Sequence, residues 1–126
     1  MGKLRHIALY ADDIQATAAF YEKAFELDRV LEREFAITLS DGVVSLAIVD
    51  ARRHPQRKTG LDHSGFLVDD MEESAATLAA AGSEHCGQIS RTRADSTIER
   101  KYRDPDGLVF DIVTAEHARP VWGIPA

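Results

Sequence analysis

Apolar positions along the chain switch between the period of a helix and that of a strand, which predicts a mixed α+β fold. Apolar side chains recur at helical spacing over residues 13–26, as in a helix that packs one face against a core. The same spacing predicts a second helix over about 70–81, ended by Gly82. Strands are predicted at about 4–10, 28–34, 35–40, 43–49, 61–68, 84–90, 96–103 and 108–114.

Two stretches of the sequence repeat each other. Residues 6–14 (His-Ile-Ala-Leu-Tyr-Ala-Asp-Asp-Ile) are echoed by residues 63–71 (His-Ser-Gly-Phe-Leu-Val-Asp-Asp-Met). Each copy is typical of a short strand that ends at an Asp-Asp pair and leads into a helix. The first Asp of each pair lies three residues before Gln15 or Glu72, and this spacing predicts a capping box at Asp12 and at Asp69. The repeat predicts a single domain, 1–126, built from two βαβββ modules at about 4–50 and 61–114, with a linker at about 51–60 and a tail at 115–126.

The last apolar run contains a carboxylate that needs a partner. Asp104-Pro105-Asp106-Gly107 predicts a type I turn, and Asp111 interrupts the strand that follows. Burying an unpaired charge is costly. Strand alternation places His6, His63 and Asp111 on the sheet face opposite the helices. Two histidines and one carboxylate on one face have the composition of a mononuclear metal site with open positions.

Asp111 also has a structural explanation that needs no metal. On the last hairpin it would face Arg100, or Lys101 if a bulge forms at Gly107, and an ion pair on the rim would then account for it. The two histidines would in that case be half-buried and bonded to neighbouring groups. The joint placement of two histidines in a repeat and a carboxylate on the partner strand favours the metal site.

Composition narrows the classes of function. The 126 residues carry 15 Lys and Arg against 21 Asp and Glu, a net charge of −6, which argues against nucleic acid or an anionic membrane as partner. Cys86 is the only cysteine, so a reducing cytoplasm is expected. No apolar run has the length of a transmembrane helix, and the N-terminal residues lack the apolar region of a signal peptide. The tail is apolar without clear periodicity, and we expect it to pack over a sheet edge or a second subunit.

The repeat, the histidine on the first strand of each copy and the Asp-Pro-Asp-Gly turn together resemble the vicinal oxygen chelate superfamily over roughly residues 4–114. That group contains glyoxalase I, type I extradiol dioxygenases, and fosfomycin- and bleomycin-resistance proteins. The resemblance implies an open, curved, β-barrel-like sheet with helices on the outside, and a homodimer. It also implies one divalent ion (Fe, Mn, Ni or Zn) held by His6, His63 and Asp111, with Tyr102 as the candidate catalytic residue.

What the resemblance implies for function is a metalloenzyme that chelates a small oxygen-bearing substrate by lyase, isomerase or dioxygenase chemistry. The alternative is a metal-free protein that binds a drug or another small molecule, as the bleomycin-resistance members do. The sequence departs from the family pattern at Asp111, where Glu is most often found. Aligning Gly42 with Gly107 puts Leu46 where glyoxalase I carries a further Glu, which disfavours lactoylglutathione lyase. Residues 88–101 contain no His, which weakens the case for ring cleavage.

Overall fold

The computed structural model describes residues 2–90 and 97–125 and has the predicted α+β class, with one eight-stranded mixed sheet over these residues. The strands are β1 Lys3–Ala11, β2 Asp28–Arg33, β3 Ala36–Ser40, β4 Ser45–Asp50, β5 Gly60–Val68, β6 His85–Ser90, β7 Thr97–Arg103 and β8 Val109–Thr114. The helices are α1 Ile14–Phe25, α2 Met71–Ala80 and α3 Ala115–Trp122, with a short 3-10 helix at Ala51–Arg53. Residue 96, the predicted start of the seventh strand, lies outside the described residues.

The order of the strands places the segments that carry the predicted site next to one another. It is β2-β3-β4-β1-β5-β8-β7-β6. β1 pairs with β4 in parallel and with β5 in antiparallel fashion, and β5 pairs in parallel with β8. The strands of His6, His63 and Asp111 are therefore consecutive in the middle of the sheet. The division into two modules and a linker stays a prediction.

Both long helices begin after the second Asp of each Asp-Asp pair. Asp13 accepts a hydrogen bond from the Ala16 N–H, and Asp70 accepts one from the Glu73 N–H, which satisfies a backbone donor of each first turn. The predicted capping boxes, which used the first Asp of each pair, are therefore wrong by one residue. The second Asp takes this role because it is the extended residue that immediately precedes the first helical one.

The two faces of the sheet are covered by different elements. On the helix face, α1 and α2 pack against apolar side chains of the sheet. The buried members of these two clusters are Ala11, Ile14, Ala18, Ile37, Leu39, Ile48, Val68, Tyr102 and Ile112. The opposite face, which we call the site face, carries His6, His63 and Asp111, as strand alternation predicts.

The tail forms α3 and lies on the site face. Ala118, Val121 and Trp122 are buried at helical spacing and pack with Val113 of β8. The tail is therefore helical, although its sequence shows no clear periodicity. It also reaches the edge strand β2, where Arg33 donates a hydrogen bond to the Pro120 carbonyl at 3.3 Å. The two long helices lie on the other face of the sheet, as predicted, and α3 is an addition on the site face. Pro120 stands inside this short helix and obscures its sequence signal, because proline lacks an N–H and usually ends a helix.

The helices of this fold are short. The longest described helix, α1, has 12 residues, and none of the helices within residues 2–90 and 97–125 is long and apolar enough to cross a membrane. The homodimer, the absence of a nucleic-acid partner and the cytoplasmic location stay predictions from the sequence.

Candidate metal centre

Three side chains converge at the centre of the site face. His6, His63 and Asp111 each offer one ligand atom, and these three atoms all lie within 4.8 Å of one another. Gly65 of β5 is the register partner of both His6 and Asp111. The residue between the imidazole and the carboxylate therefore has no side chain to separate them.

Each histidine is held through its Nδ1 atom. Nδ1 of His6 lies 2.6 Å from Oγ of Ser45, its partner across β1 and β4. Nδ1 of His63 lies 2.6 Å from Oδ2 of Asp62. Metal-ligating histidines are usually anchored through the second ring nitrogen in this way, because the anchor fixes both the tautomer and the ring plane. Nε2 is then the nitrogen that each ring would offer to a metal.

One oxygen of Asp111 has the environment of a metal ligand. The carboxylate is buried; Oδ1 accepts a hydrogen bond from Lys101 at 2.7 Å, whereas Oδ2 accepts none from the described residues. Oδ2 lies 3.2 Å from Nε2 of His63, and a neutral His63 that donates from Nδ1 would direct a lone pair towards this oxygen. The lone pair and the negatively charged oxygen would repel each other, and a cation between Nε2 and Oδ2 would remove this repulsion. The orphaned oxygen and the two imidazoles therefore fit a single divalent ion.

The same cluster shifts the pKa of two of its members. Burial raises the pKa of Asp111, but His63, Glu99 and Lys101 outweigh it and hold this pKa well below its usual range. Burial lowers the pKa of His63, but Asp111 and Asp62 outweigh it and raise this pKa above its ordinary value. Both shifts favour a positive charge on His63 beside a negative Asp111. The site therefore favours a cation beside Asp111, either a metal ion or a proton on His63.

The ion pair that competes with the metal interpretation is also present. Lys101 lies opposite Asp111 in the register of β7 and β8, which is the bulged alternative. The register with Arg100 opposite Asp111 is wrong. Arg100 instead lies opposite Ile112, and its guanidinium binds Glu72 of α2 on the helix face. Because Lys101 takes only Oδ1, the ion pair leaves Oδ2 for a metal.

Tyr102 does not lie in the site. It alternates with Lys101 along β7, and its side chain is buried on the helix face with Val68 and Ile112, next to α2. The prediction of Tyr102 as a catalytic candidate is therefore corrected: its ring is on the wrong side of the sheet.

The position equivalent to Asp111 in the first half of the sheet is Ala47, not Leu46. Ala8 pairs with Ala47 in β4 as Gly65 pairs with Asp111 in β8. Leu46 instead packs on the helix face. The alignment from Gly42 is wrong by one position because the strand after that turn begins later than the strand after Gly107. The consequence is unchanged, since Ala47 offers no carboxylate either.

The sequence does not predict four further residues around the cluster. Ser45 and Asp62 anchor the histidines, and Asp62 could have been found as the neighbour of His63 in sequence. Glu99 is buried and interacts with Asp111. The indole of Trp122 stacks on the imidazole of His6. Ser45, Glu99 and Trp122 could not have been found without knowing which strands pair and where α3 folds.

Comparisons with known proteins agree with this fold. The model of the Glyoxalase/Bleomycin resistance protein/Dioxygenase superfamily matches residues 3–112. No curated protein matches the chain. A methylmalonyl-CoA epimerase from Mycobacterium tuberculosis superposes with a TM-score of 0.64 at 17% identity, over 88% of this chain and 86% of that one.

Two longer enzymes contain a similar fold. The Mn(II)-bound glyoxalase from Novosphingobium aromaticivorans gives a TM-score of 0.66 at 20% identity, over 89% of this chain and 38% of that one. An extradiol ring-cleaving dioxygenase from B.fuscum gives 0.65 at 16% identity, over 89% of this chain and 32% of that one. At these identities the similarity shows the fold alone.

Proposed function

Since the chain belongs to the Glyoxalase/Bleomycin resistance protein/Dioxygenase superfamily, we propose that it is an enzyme that binds a small oxygen-bearing substrate at one divalent metal ion. His6, His63 and Asp111 would hold the ion. The observation that carries this proposal is their convergence within 4.8 Å, around an Asp111 Oδ2 that accepts no hydrogen bond from the described residues.

The donor set defines the metals and the reactions that the site supports. Two imidazoles and one carboxylate suit Fe, Mn, Ni or Zn and leave open positions for substrate oxygens. The similar solved structures include an epimerase, a glyoxalase and a dioxygenase. They support isomerase, lyase or dioxygenase chemistry as the class of reaction for this chain.

The residues around the ion have separate tasks. When bound, the ion supplies Lewis-acid stabilisation of negative charge on substrate oxygens. The two histidine rings are fixed through Nδ1, so each presents Nε2 in one orientation. Lys101 holds one oxygen of Asp111, so the carboxylate would bind through the other. Trp122 lies flat on His6 and excludes water from that side of the ring.

Elemental analysis of the purified protein tests the proposal. We expect near-stoichiometric metal in the wild type and its loss in His63→Ala. His85→Ala is the matched control, because His85 is exposed on β6 and outside the cluster. A wild type that binds none of iron, manganese, nickel and zinc after each is added back would exclude the metalloenzyme.

A metal-free protein that binds a small molecule is the second candidate. The observation that favours it is the Lys101–Asp111 ion pair at 2.7 Å, which balances the buried carboxylate without a metal. A cavity of about 550 Å³ between α2 and the helix face, lined in part by Phe66, Val68 and Ile112, offers space for such a ligand. His6→Ala distinguishes the two candidates: the enzyme loses metal and activity, whereas the binding protein keeps its ligand affinity.

A further inference from the structure

We propose that Lys101 makes this site selective for small organic acids that carry a second oxygen next to the carboxylate, such as 2-hydroxy and 2-oxo acids. This substrate class rests on the proposed metal-centred function and specifies its substrate. It follows from where the ammonium of Lys101 lies and from the balance of charge around the cluster.

Lys101 lies on the accessible side of the cluster. Its side chain is 25% exposed, against 17% for His63 and 0% for Asp111, and His6 is covered by Trp122. A molecule that reaches the cluster from solvent therefore first meets Lys101 and His63. The group that it meets at this entrance is a cation.

The ammonium of Lys101 has capacity for a further partner. It carries three N–H donors, and within residues 2–90 and 97–125 its hydrogen-bond partner is Oδ1 of Asp111. The remaining donors can bind a carboxylate oxygen of an incoming molecule. Such a bond joins two charged groups and is stronger than a bond between neutral groups.

The charges around the cluster favour an anion once a divalent ion is present. Arg57 balances Asp62 and Lys101 balances Asp111, each through an ion pair. Glu99 is a further buried acid next to Asp111, and even when it is ionised its single negative charge is smaller than the two positive charges of a divalent ion. The site would then hold excess positive charge in partly buried surroundings, where interactions between charges are stronger than in water. A monoanion balances this charge, and a neutral diol or ketone does not.

A carboxylate with a neighbouring hydroxyl or carbonyl suits both features of the site. It can offer two oxygens for open metal positions and another carboxylate oxygen for Lys101. A neutral diol can fill the metal positions but leaves the ammonium without an anionic partner. Lys101 therefore strengthens the binding of the acid and not that of the diol, and it does so in addition to its contact with Oδ1 of Asp111.

Titration calorimetry on the manganese-loaded protein tests this inference, with lactate and 1,2-propanediol as a matched acid and neutral diol. We expect lactate to bind the wild type about tenfold or more tightly than the diol, given the strength of hydrogen bonds to charged groups. Lys101→Met should lose about the same factor for lactate only. Lys101→Arg should retain most of the preference, and Lys3→Met, at the exposed end of β1, should match the wild type.

The affinity for manganese is measured first, and it separates this inference from the proposed function. If the wild type and Lys101→Met both bind manganese and bind lactate with equal affinity, the role of Lys101 is overturned and the metal site is retained. A wild type that binds no metal would instead overturn the proposed function. If circular dichroism shows Lys101→Met to be unfolded, the wild type decides: lactate binding no tighter than propanediol binding overturns the inference.

Discussion

The indole of Trp122 lies flat on the imidazole of His6, with ring centroids 4.8 Å apart and ring planes 3° from parallel. This stack joins the C-terminal helix α3 to the first strand of the sheet. Trp122 is buried in a cluster with Val113 and Ile124. Ser45 holds Nδ1 of the same imidazole. The ring of His6 is thus fixed by one polar contact from β4 and one apolar contact from the C-terminal helix.

Trp122→Ala should weaken both the fold and the site. Loss of a buried Trp costs about 3–5 kcal/mol of unfolding free energy, measured by urea denaturation. The affinity for metal should fall as well, because the ring of His6 loses its apolar support. Trp122→Phe keeps an aromatic face and should retain most of both. Metal affinity of Trp122→Ala equal to that of the wild type would contradict the role of the stack.

Trp122 also provides a direct signal for metal binding. It is the only Trp in the sequence and touches a proposed ligand, so titration with nickel should change its fluorescence. His63→Ala should abolish this change without removing the indole. Stoichiometric nickel binding with unchanged emission would place the metal away from His6.

Gly65→Ala should disrupt the site because the position allows a close approach. A Cβ atom there would lie 2.7 Å from Cζ2 of Trp122 and 2.9 Å from Cβ of His6, too close for either contact. We expect a loss of about 1–3 kcal/mol of unfolding free energy, as for other overpacked positions, and weaker metal binding. Gly87→Ala is the control, since its Cβ would meet Cδ of Lys101 at an ordinary 3.8 Å. Equal stability of the two variants would contradict the crowding around Gly65.

Ser45→Ala should lower the affinity for metal by about 10- to 100-fold, the usual effect of removing a group that anchors a metal ligand. The ring of His6 would lose the Oγ contact at 2.6 Å that fixes its Nδ1. Ser40→Ala is the matched control, because this buried hydroxyl binds the Val44 carbonyl in the turn instead. Isothermal titration with manganese measures both. An equal loss in the two variants would indicate a general effect of the substitutions on β3 and β4.

The positions of the candidate ligands could be predicted from the sequence because they depend on local rules. The period of a strand fixes which face each side chain takes, and the repeat relates His6 to His63. These two facts are enough to place both histidines and Asp111 on one face. The turn at residues 104–107 is local as well, and the Gly107 N–H does bond to the Asp104 carbonyl at 2.9 Å.

The surroundings of the ligands could not be predicted because they depend on register and on contacts between distant segments. A shift of one residue moves a strand side chain to the other face. Such a shift decides whether Arg100 or Lys101 faces Asp111 and on which side of the sheet Tyr102 lies. It also decides whether Leu46 or Ala47 is the position equivalent to Asp111. The stack of Trp122 on His6 joins segments from the two ends of the chain, and no local pattern encodes it.

His63 should make the stability of the metal-free protein depend on pH. Burial lowers its pKa, but Asp111 and Asp62 raise it above the unfolded value of 6.5, so the folded state holds this proton more tightly than the unfolded state does. The contribution of His63 to stability is therefore fully present below about pH 6.5 and is lost as the pH rises through the folded pKa. The free energy of unfolding of chelator-treated protein, measured in urea from that pH upward, should decrease.

His63→Gln should lose this slope, and His85→Gln, which alters an exposed histidine, should keep it. Added manganese should reverse the trend, because a metal requires neutral His63 and its binding strengthens as the proton leaves. Parallel pH profiles for the wild type and His63→Gln would assign the slope to other groups. That result would also contradict a proton shared between His63 and Asp111.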